Sequence, residues 1–542
     1  MNGFESKSVE ELGLKKEQSE KNKQYDRQLR LWGDHGQAAL ENGHICLINA
    51  TALGTEILKS IVLPGVGAVT IVDDNIVSDE DIGSNFFLES SSKNLNRGSE
   101  SLRLILELNP AVQGYAVQET TDQILQENPD FFKNFSVVIA SSLGEKTIQN
   151  LSHHLWEINV PLIFCRSVGF LGSFRIQIKE HPIIESHPDN EQYDLRLDVP
   201  FQTLFDYLNS FDIDELDLKD HGHIPWIVIL YKAVKKWQIS NSNSWPMSRK
   251  EKNEIKEIIQ QFKRVDDNGM PIYEENFEES LRAVNTSLTP TFLPVKIQEL
   301  IYNSSAINLT KESTPFWIMC SALRAFVEAE GKGKLPVRGV LPDMTASTDH
   351  YVTLQNIYRN QAALDAELVY RKVQEIVAQL HCDSITEAEV KLFCRHAHDL
   401  HLIKGSCITS EYQFSNTVSS YIARYLEEPD IMMVHYILLR AAEMFRSEHC
   451  RAPGEWEPES DIAKLKTCVS KLLTDISCSP FPKDDHIHEM CRYGGAEIHS
   501  VSAFLGGCVA HEAIKIVTKQ YKPVNNTLIY DGASTNTATF TF

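Results

Sequence analysis

The sequence predicts an α/β protein with a mainly parallel sheet, interrupted by a large, mostly helical insertion and completed by the C-terminus. Three observations carry this. Residues 25–180 alternate strand-like and helix-like segments, residues from about 200 to 480 carry longer amphipathic helical patterns, and the last stretch returns to the first texture. Strands alternating with helices make a sheet with helices on its faces.

The first unit is "HICLINATALGTEILKSIVLPGVGAVTIVDD", residues 44–74. An apolar run (Ile45–Ile48) leads into a tight turn and an amphipathic segment, and a second apolar run (Val69–Val72) ends in acid at Asp73 and Asp74. That is strand, helix, strand, with acid where a ribose hydroxyl would be held, as in a Rossmann-like nucleotide unit. The turn, however, reads Asn49-Ala50-Thr51-Ala52-Leu53-Gly54. In a G-x-G-x-x-G loop the first two glycines allow the tight turn and the approach of phosphate; here they are Asn49 and Thr51, and only Gly54 remains. Read alone, such a unit is plain scaffold.

The rest follows in order. "SESLRLILELNP" reads as a helix stopped by Pro110, "GYAVQET" and "FSVVIASS" as strands, and "KTIQNLSHHLWEINV" as a helix. "PLIFCRSVGFLGSFRIQI" reads as strand, glycine turn, strand. Within the insertion, "AALDAELVYRKVQEIVAQL" and "DIMMVHYILLRAAEMF" are amphipathic helices, separated by charged connectors such as "RVDDNGMPIYEENFEES". At the end, "AFLGGCVAHEAIKIVTK" is a helix able to pack closely, and "NTLIYDG" and "TATFTF" are strands. The expected divisions are a disordered tail (1–23), the α/β domain (24–180), the helical insertion (181–480) and the closing α/β part (481–542).

Composition narrows the function classes. Hydrophobic residues make up 42%, an ordinary globular share. No apolar run is expected to approach the roughly 20 residues of a membrane helix, and the polar N-terminus lacks the apolar core of a signal peptide. A net charge of −22 argues against nucleic acid or an anionic membrane as main partner. Eleven cysteines, with no C-x-x-C pair, suggest reduced thiols in cytoplasm or nucleus and no zinc ribbon.

Four segments together carry a resemblance: "YDRQLRLWG" (25–33), the loop unit (44–74), "CRSVGFLGSFRI" (165–176) and "EIHSVSAFLGGCVAHEAIKIVTKQ" (497–520). In kind, order and approximate spacing they resemble the ubiquitin-like-protein activating enzymes, from about residue 24 to the C-terminus. The fold implied is a Rossmann-like adenylation-type domain. Those enzymes adenylate the C-terminal glycine of a small modifier and pass it to a cysteine as a thioester. The loop unit and "LPVRGVLPDMTASTDHYVTLQNIYR" (335–359) look like the regulatory, non-catalytic subunits of the heterodimeric neddylation enzymes.

The chain departs from the family's adenylating members at each phosphate and metal position. The loop lacks its glycines. Asn75 stands where the second acid would hold the ribose, Ser84 where an arginine would touch phosphate, and Ala140–Gly144 contain no aspartate for magnesium. Losing these together removes most of the charge compensation that phosphoryl chemistry needs. The resemblance therefore implies no cofactor in this chain, with ATP and magnesium bound by a catalytic partner subunit, and the neddylation modifier as second partner.

Candidate residues follow. Tyr25, Leu29 and Trp32 recur at helical spacing, so "YDRQLRLWG" reads as a docking helix with Arg27 and Arg30 facing solvent. By resemblance, Arg27 matches an arginine that crosses into the partner's ATP site. His223 in "HGHIPWIVIL", and Asp343, Met344, Tyr351, Leu354, Gln355 and Asn356, look by resemblance like contacts to the catalytic subunit. Their plain reading is loops entering core helices. Cys407 is the most tempting nucleophile in the insertion, though its context looks buried and structural. Cys394, His398 and His401 would share one helical face, which reads as a polar face rather than a zinc site. The rival functions are a self-sufficient activating enzyme using Cys407 and a pure adaptor.

Overall fold

The computed structural model describes residues 23–189, 193–427, 431–479, 481 and 484–542. The tail expected over 1–23 lies outside these, apart from Lys23. The chain divides into two compact units, one formed by residues up to Ile183 together with Leu402–Phe542, the other by Ile184–His401.

In the first unit, helix α1 (Asp26–Glu41) precedes strand β1 (His44–Ile48), helix α2 (Ala52–Val62) and strand β2 (Ala68–Val72). Then come α3 (Arg97–Leu106), β3 (Gln113–Val117), β4 (Val137–Ser141), α4 (Glu145–Glu157), β5 (Leu162–Val168), β6 (Leu171–Gln177) and β7 (Glu180–Ile183). The second unit holds α5 (Trp226–Ser240), α6 (Arg249–Phe262), α7 (Glu275–Ser287), α8 (Pro315–Glu328), α9 (Thr348–Leu380) and α10 (Glu387–Arg395). After strand β8 (His401–Lys404) the first unit closes with α11 (Ile431–His449), α12 (Pro458–Asp475), α13 (Asp485–Tyr493), α14 (His499–Thr518), β9 (Thr527–Asp531) and β10 (Asn536–Phe540).

The main sheet runs β10-β9-β6-β5-β4-β1-β2-β3. From β3 to β5 it is parallel, and β6, β9 and β10 add antiparallel strands. Strand order reverses between β1 and β4, so a crevice opens beyond their carboxyl ends, where ligands of such sheets bind. The β1 and β4 side chains are wholly apolar and buried at the pairing of Ile45 with Val137 and Leu47 with Ile139, as strands covered on both faces require.

Helix α14 packs along α2. A Cβ at Gly506 would stand 2.9 Å from the Glu56 Cβ and 3.1 Å from the Ile57 nitrogen, so only glycine allows this approach. The expectation that no run is long enough to span a membrane needs correcting here. Helix α14 has 20 residues and a mean hydropathy of 1.3, yet 56% of that window is buried, which makes it a core helix. Its outward stripe is His499, Ala503, Phe504, Gly507, Cys508 and His511, at helical spacing.

Two other expectations change. The insertion ends at His401 rather than at residue 480, because α11–α13 belong to the α/β unit. Met433, Ile437 and Phe445 of α11 share a core with Leu171, Ile529 and Phe540 of the sheet. An amphipathic pattern reports a buried face, not which core buries it. The connector "RVDDNGMPIYEENFEES" becomes helix α7 from Glu275. The second unit is organised around α5, whose Ile227, Leu230, Tyr231 and Val234 pack with Ile255 and Ile259 of α6 and Phe277 of α7.

Candidate functional site

The loop after β1 is held by the chain's own polar groups. Asn49 adopts φ 66°, the left-handed conformation that asparagine tolerates better than other non-glycine residues. Its Nδ2 donates to the Ser141 carbonyl at 2.8 Å. Gly54 persists because a Cβ there would stand 2.6 Å from the Asn49 carbonyl oxygen. Thr51 caps α2 by accepting from the Gly54 N–H at 3.3 Å, and its hydroxyl lies 2.9 Å from that of Ser141. Asn85 braces the turn, donating to the Ala50 carbonyl and accepting from Thr55.

Two of the loop's backbone donors are engaged by carboxylates. The Ala50 N–H donates to Asp73 Oδ2 at 2.8 Å, and the Leu53 N–H, at the start of α2, donates to Glu497 Oε2 at 2.8 Å. A carboxylate at a helix N-terminus meets the same dipole and free N–H groups as a phosphate. Glu497 also accepts from the Ser142 hydroxyl at 3.4 Å. Burial pushes its carboxyl above the ordinary range, opposed by the Leu53 N–H, the Thr51 hydroxyl and the Arg97 charge. Asp73 in turn accepts from Arg97 at 2.8 Å, and Arg97 reaches Asp81 at 3.1 Å. Carboxylates thus stand at two of the backbone N–H groups that a phosphate would meet.

Arg27 stands apart from this network. On α1, Tyr25 is buried and its hydroxyl accepts from Asn109 at 3.0 Å, while Gln28 donates to the Pro64 carbonyl at 2.7 Å. Trp32 donates to Gln37 at 3.1 Å. That inner face leaves Arg27 and Arg30 outward. Arg30 pairs with Asp26 at 3.0 Å, whereas Arg27 is exposed and has no ion-pair partner among the described residues.

A sequence model of the ThiF family matches residues 25–542. The chain belongs to the ThiF family. Over 524 residues it is 46% identical to "NEDD8-activating enzyme E1 regulatory subunit" of Xenopus laevis, covering 96% of this chain and 98% of that one. It is 45% identical to the protein of that name from Drosophila melanogaster, over 96% and 98% of the two chains. To the one from Caenorhabditis elegans it is 34% identical, again over 96% and 98%.

In this ThiF-family chain the candidate partner contacts fall in the second unit. The Ser347 N–H donates to the His223 carbonyl at 3.0 Å, bringing His223 beside the segment from Asp343 to Asn356. Glu279 holds that segment through the Thr345 N–H and hydroxyl, each at 2.9 Å. His223, Asp343 and Asn356 are exposed, Met344 and Gln355 half-buried. Tyr351 meets Asp343, and burial together with that carboxylate pushes its hydroxyl above the usual value. Leu354 corrects the expectation of a partner contact, for it is fully buried in the core with Tyr358 and Leu341. The i, i+4 spacing that made it look amphipathic is the spacing of a core face.

Cys407 is buried, its Sγ 3.3 Å from the Ser152 hydroxyl, and it belongs to the α/β unit rather than to the insertion. Cys394, His398 and His401 do not share a helical face, because α10 ends at Arg395 and His401 begins β8. The sequence reading missed Glu497, Arg97 and Asn85. "EIHS" was noted for its order in the chain, but nothing in a sequence joins residue 497 to residue 53 across 444 positions.

Proposed function

We propose that this chain is the regulatory subunit of a heterodimeric activating enzyme for the neddylation modifier, and that its own loop holds no ATP. The observation that carries this is the pairing of Ala50 and Leu53 N–H groups with Asp73 and Glu497, which places carboxylates at donors a phosphate would use. The names of its relatives support it. ATP and magnesium are then bound by the catalytic partner, which adenylates the modifier's C-terminal glycine and takes it as a thioester on its own cysteine, leading to cullin neddylation in cytoplasm and nucleus.

In this reading Arg27 acts in trans. A guanidinium offers two parallel hydrogen bonds to phosphate oxygens and offsets charge developing on leaving pyrophosphate. An exposed arginine with no ion-pair partner among the described residues, on a helix whose other face is fixed, is suited to that task. The partner docks on the α/β unit, where Phe504 and Phe86 are 43% and 75% exposed, and through His223, Asp343, Met344, Tyr351, Gln355 and Asn356.

The test is Arg27→Ala in the assembled heterodimer, read by modifier-dependent ATP–pyrophosphate exchange. A loss of about ten- to a hundredfold is expected, with the dimer intact by gel filtration. An unchanged exchange rate sinks the role in trans and favours a pure adaptor.

A further inference from the structure

We propose that a basic groove on the helical unit docks an acidic, extended segment of a partner protein. The groove runs between residues 337–341, the middle of α9 and the end of α10, and encloses about 410 Å³. Its floor is apolar and shallow: Val337, Leu341, Ala362, Ala363 and Ala366. Gly339 makes it so. At φ +74° a Cβ there would stand 2.8 Å from that of Ala362, so this stretch lies flush against α9.

The rim is cationic. Arg338, Arg359, Lys391 and Arg395 line the groove and none of its lining residues is acidic. Arg338 is engaged by Asp399, and Lys391 by Glu387 at 2.7 Å. Arg359 and Arg395 are exposed and have no ion-pair partner among the described residues. A chain with net charge −22 has carboxylates to spare for local pairing, yet leaves these guanidinium groups open. Electrostatic complementarity of this kind selects an acidic partner and speeds its encounter.

The shape narrows the occupant further. In an extended peptide successive side chains point to opposite sides. Small side chains at alternate positions then rest on the alanine floor, while the backbone carries acidic neighbours towards the rim. The lining has no aromatic residue, and single-stranded nucleic acid sites rely on aromatic stacking, so a protein segment fits better. Cys394 lies at the base, buried, and burial pushes its thiol up, which leaves it neutral and unreactive.

The proposal is tested on the full chain by fluorescence anisotropy with a fluorescein-labelled decapeptide of alternating glutamate and alanine. Saturable binding is expected, weakening as salt rises. Arg395→Glu and, separately, Arg359→Glu should each reduce affinity about tenfold. Lys250→Glu, on the exposed side of α6, should leave it unchanged, with circular dichroism confirming each fold. Absence of saturable binding overturns the proposal. So does an equal loss with Lys250→Glu, which would indicate general surface charge. Competition by oligothymidylate as effective as that by unlabelled peptide would reassign the groove to nucleic acid.

Discussion

At the loop after β1, two backbone donors facing a crevice meet carboxylates of the same chain; in the groove beside α9, two guanidinium groups have no ion-pair partner among the described residues. The two sites differ in what leaving a group unpaired costs. A buried N–H without an acceptor costs on the order of 1–3 kcal/mol, so the Leu53 N–H is matched by Glu497 and the Ala50 N–H by Asp73. Solvated cations such as Arg359 and Arg395 cost little, so they stay free for another molecule. A site that has become internal structure and a site kept open are told apart by whether their polar groups are already satisfied.

The sharpest break of that comparison is to remove the internal anion. Glu497→Ala leaves the Leu53 N–H without its acceptor and the Arg97 and Arg446 charges without a neighbour they both sense. A loss of about 3 kcal/mol is expected. Glu497→Gln, which keeps an acceptor for Leu53, should lose much less. Millimolar phosphate or formate should raise the thermal midpoint of the alanine variant and leave the wild type unmoved. If the anion rescues neither midpoint nor unfolding free energy, the carboxylate is not standing where an anion can stand.

A smaller effect asks whether the helical unit also hides charge. His398 sits among Asp194, Arg338, Arg196 and Asp399, and burial holds its imidazole down to about 4. The unfolded value is about 6.5, so between the two the unfolded chain binds the proton and the folded chain does not. The stability from this group is therefore present above about pH 6.5 and lost as pH falls towards 4. Between pH 7 and 5 the wild type should lose up to about 2 kcal/mol more than His398→Gln, by urea titration. Equal slopes would mean that the imidazole titrates freely, so that this unit keeps its charges solvated inside as well as in the groove.

Much of this architecture was legible from local pattern. Each strand of the parallel sheet lies in a quoted strand-like segment, and the turn at Asn49–Gly54 was legible as a departure from a phosphate cradle. What could not be read is long-range pairing. The boundary at residue 401 depends on which core buries Met433 and Phe445, and Leu354 has the spacing of a surface anchor and the position of a core residue. Glu497 was invisible for the same reason. Arg27 was singled out only by resemblance, and the structure adds the inner face of α1 that fixes the helix carrying it.

The smallest expected effect bears on which feature closed the loop. Asn49→Gly restores one cradle glycine. It relieves the left-handed backbone and loses the bond to the Ser141 carbonyl, so stability should change by less than about 1 kcal/mol. If missing glycines were the cause, this variant should gain affinity for a fluorescent ATP analogue in anisotropy. We expect none, because Ala50 and Leu53 still donate to Asp73 and Glu497. Saturable binding by Asn49→Gly alone would reverse the order of causes: the carboxylates would then be occupants that phosphate can displace, and the closed loop would differ from the open groove only in degree.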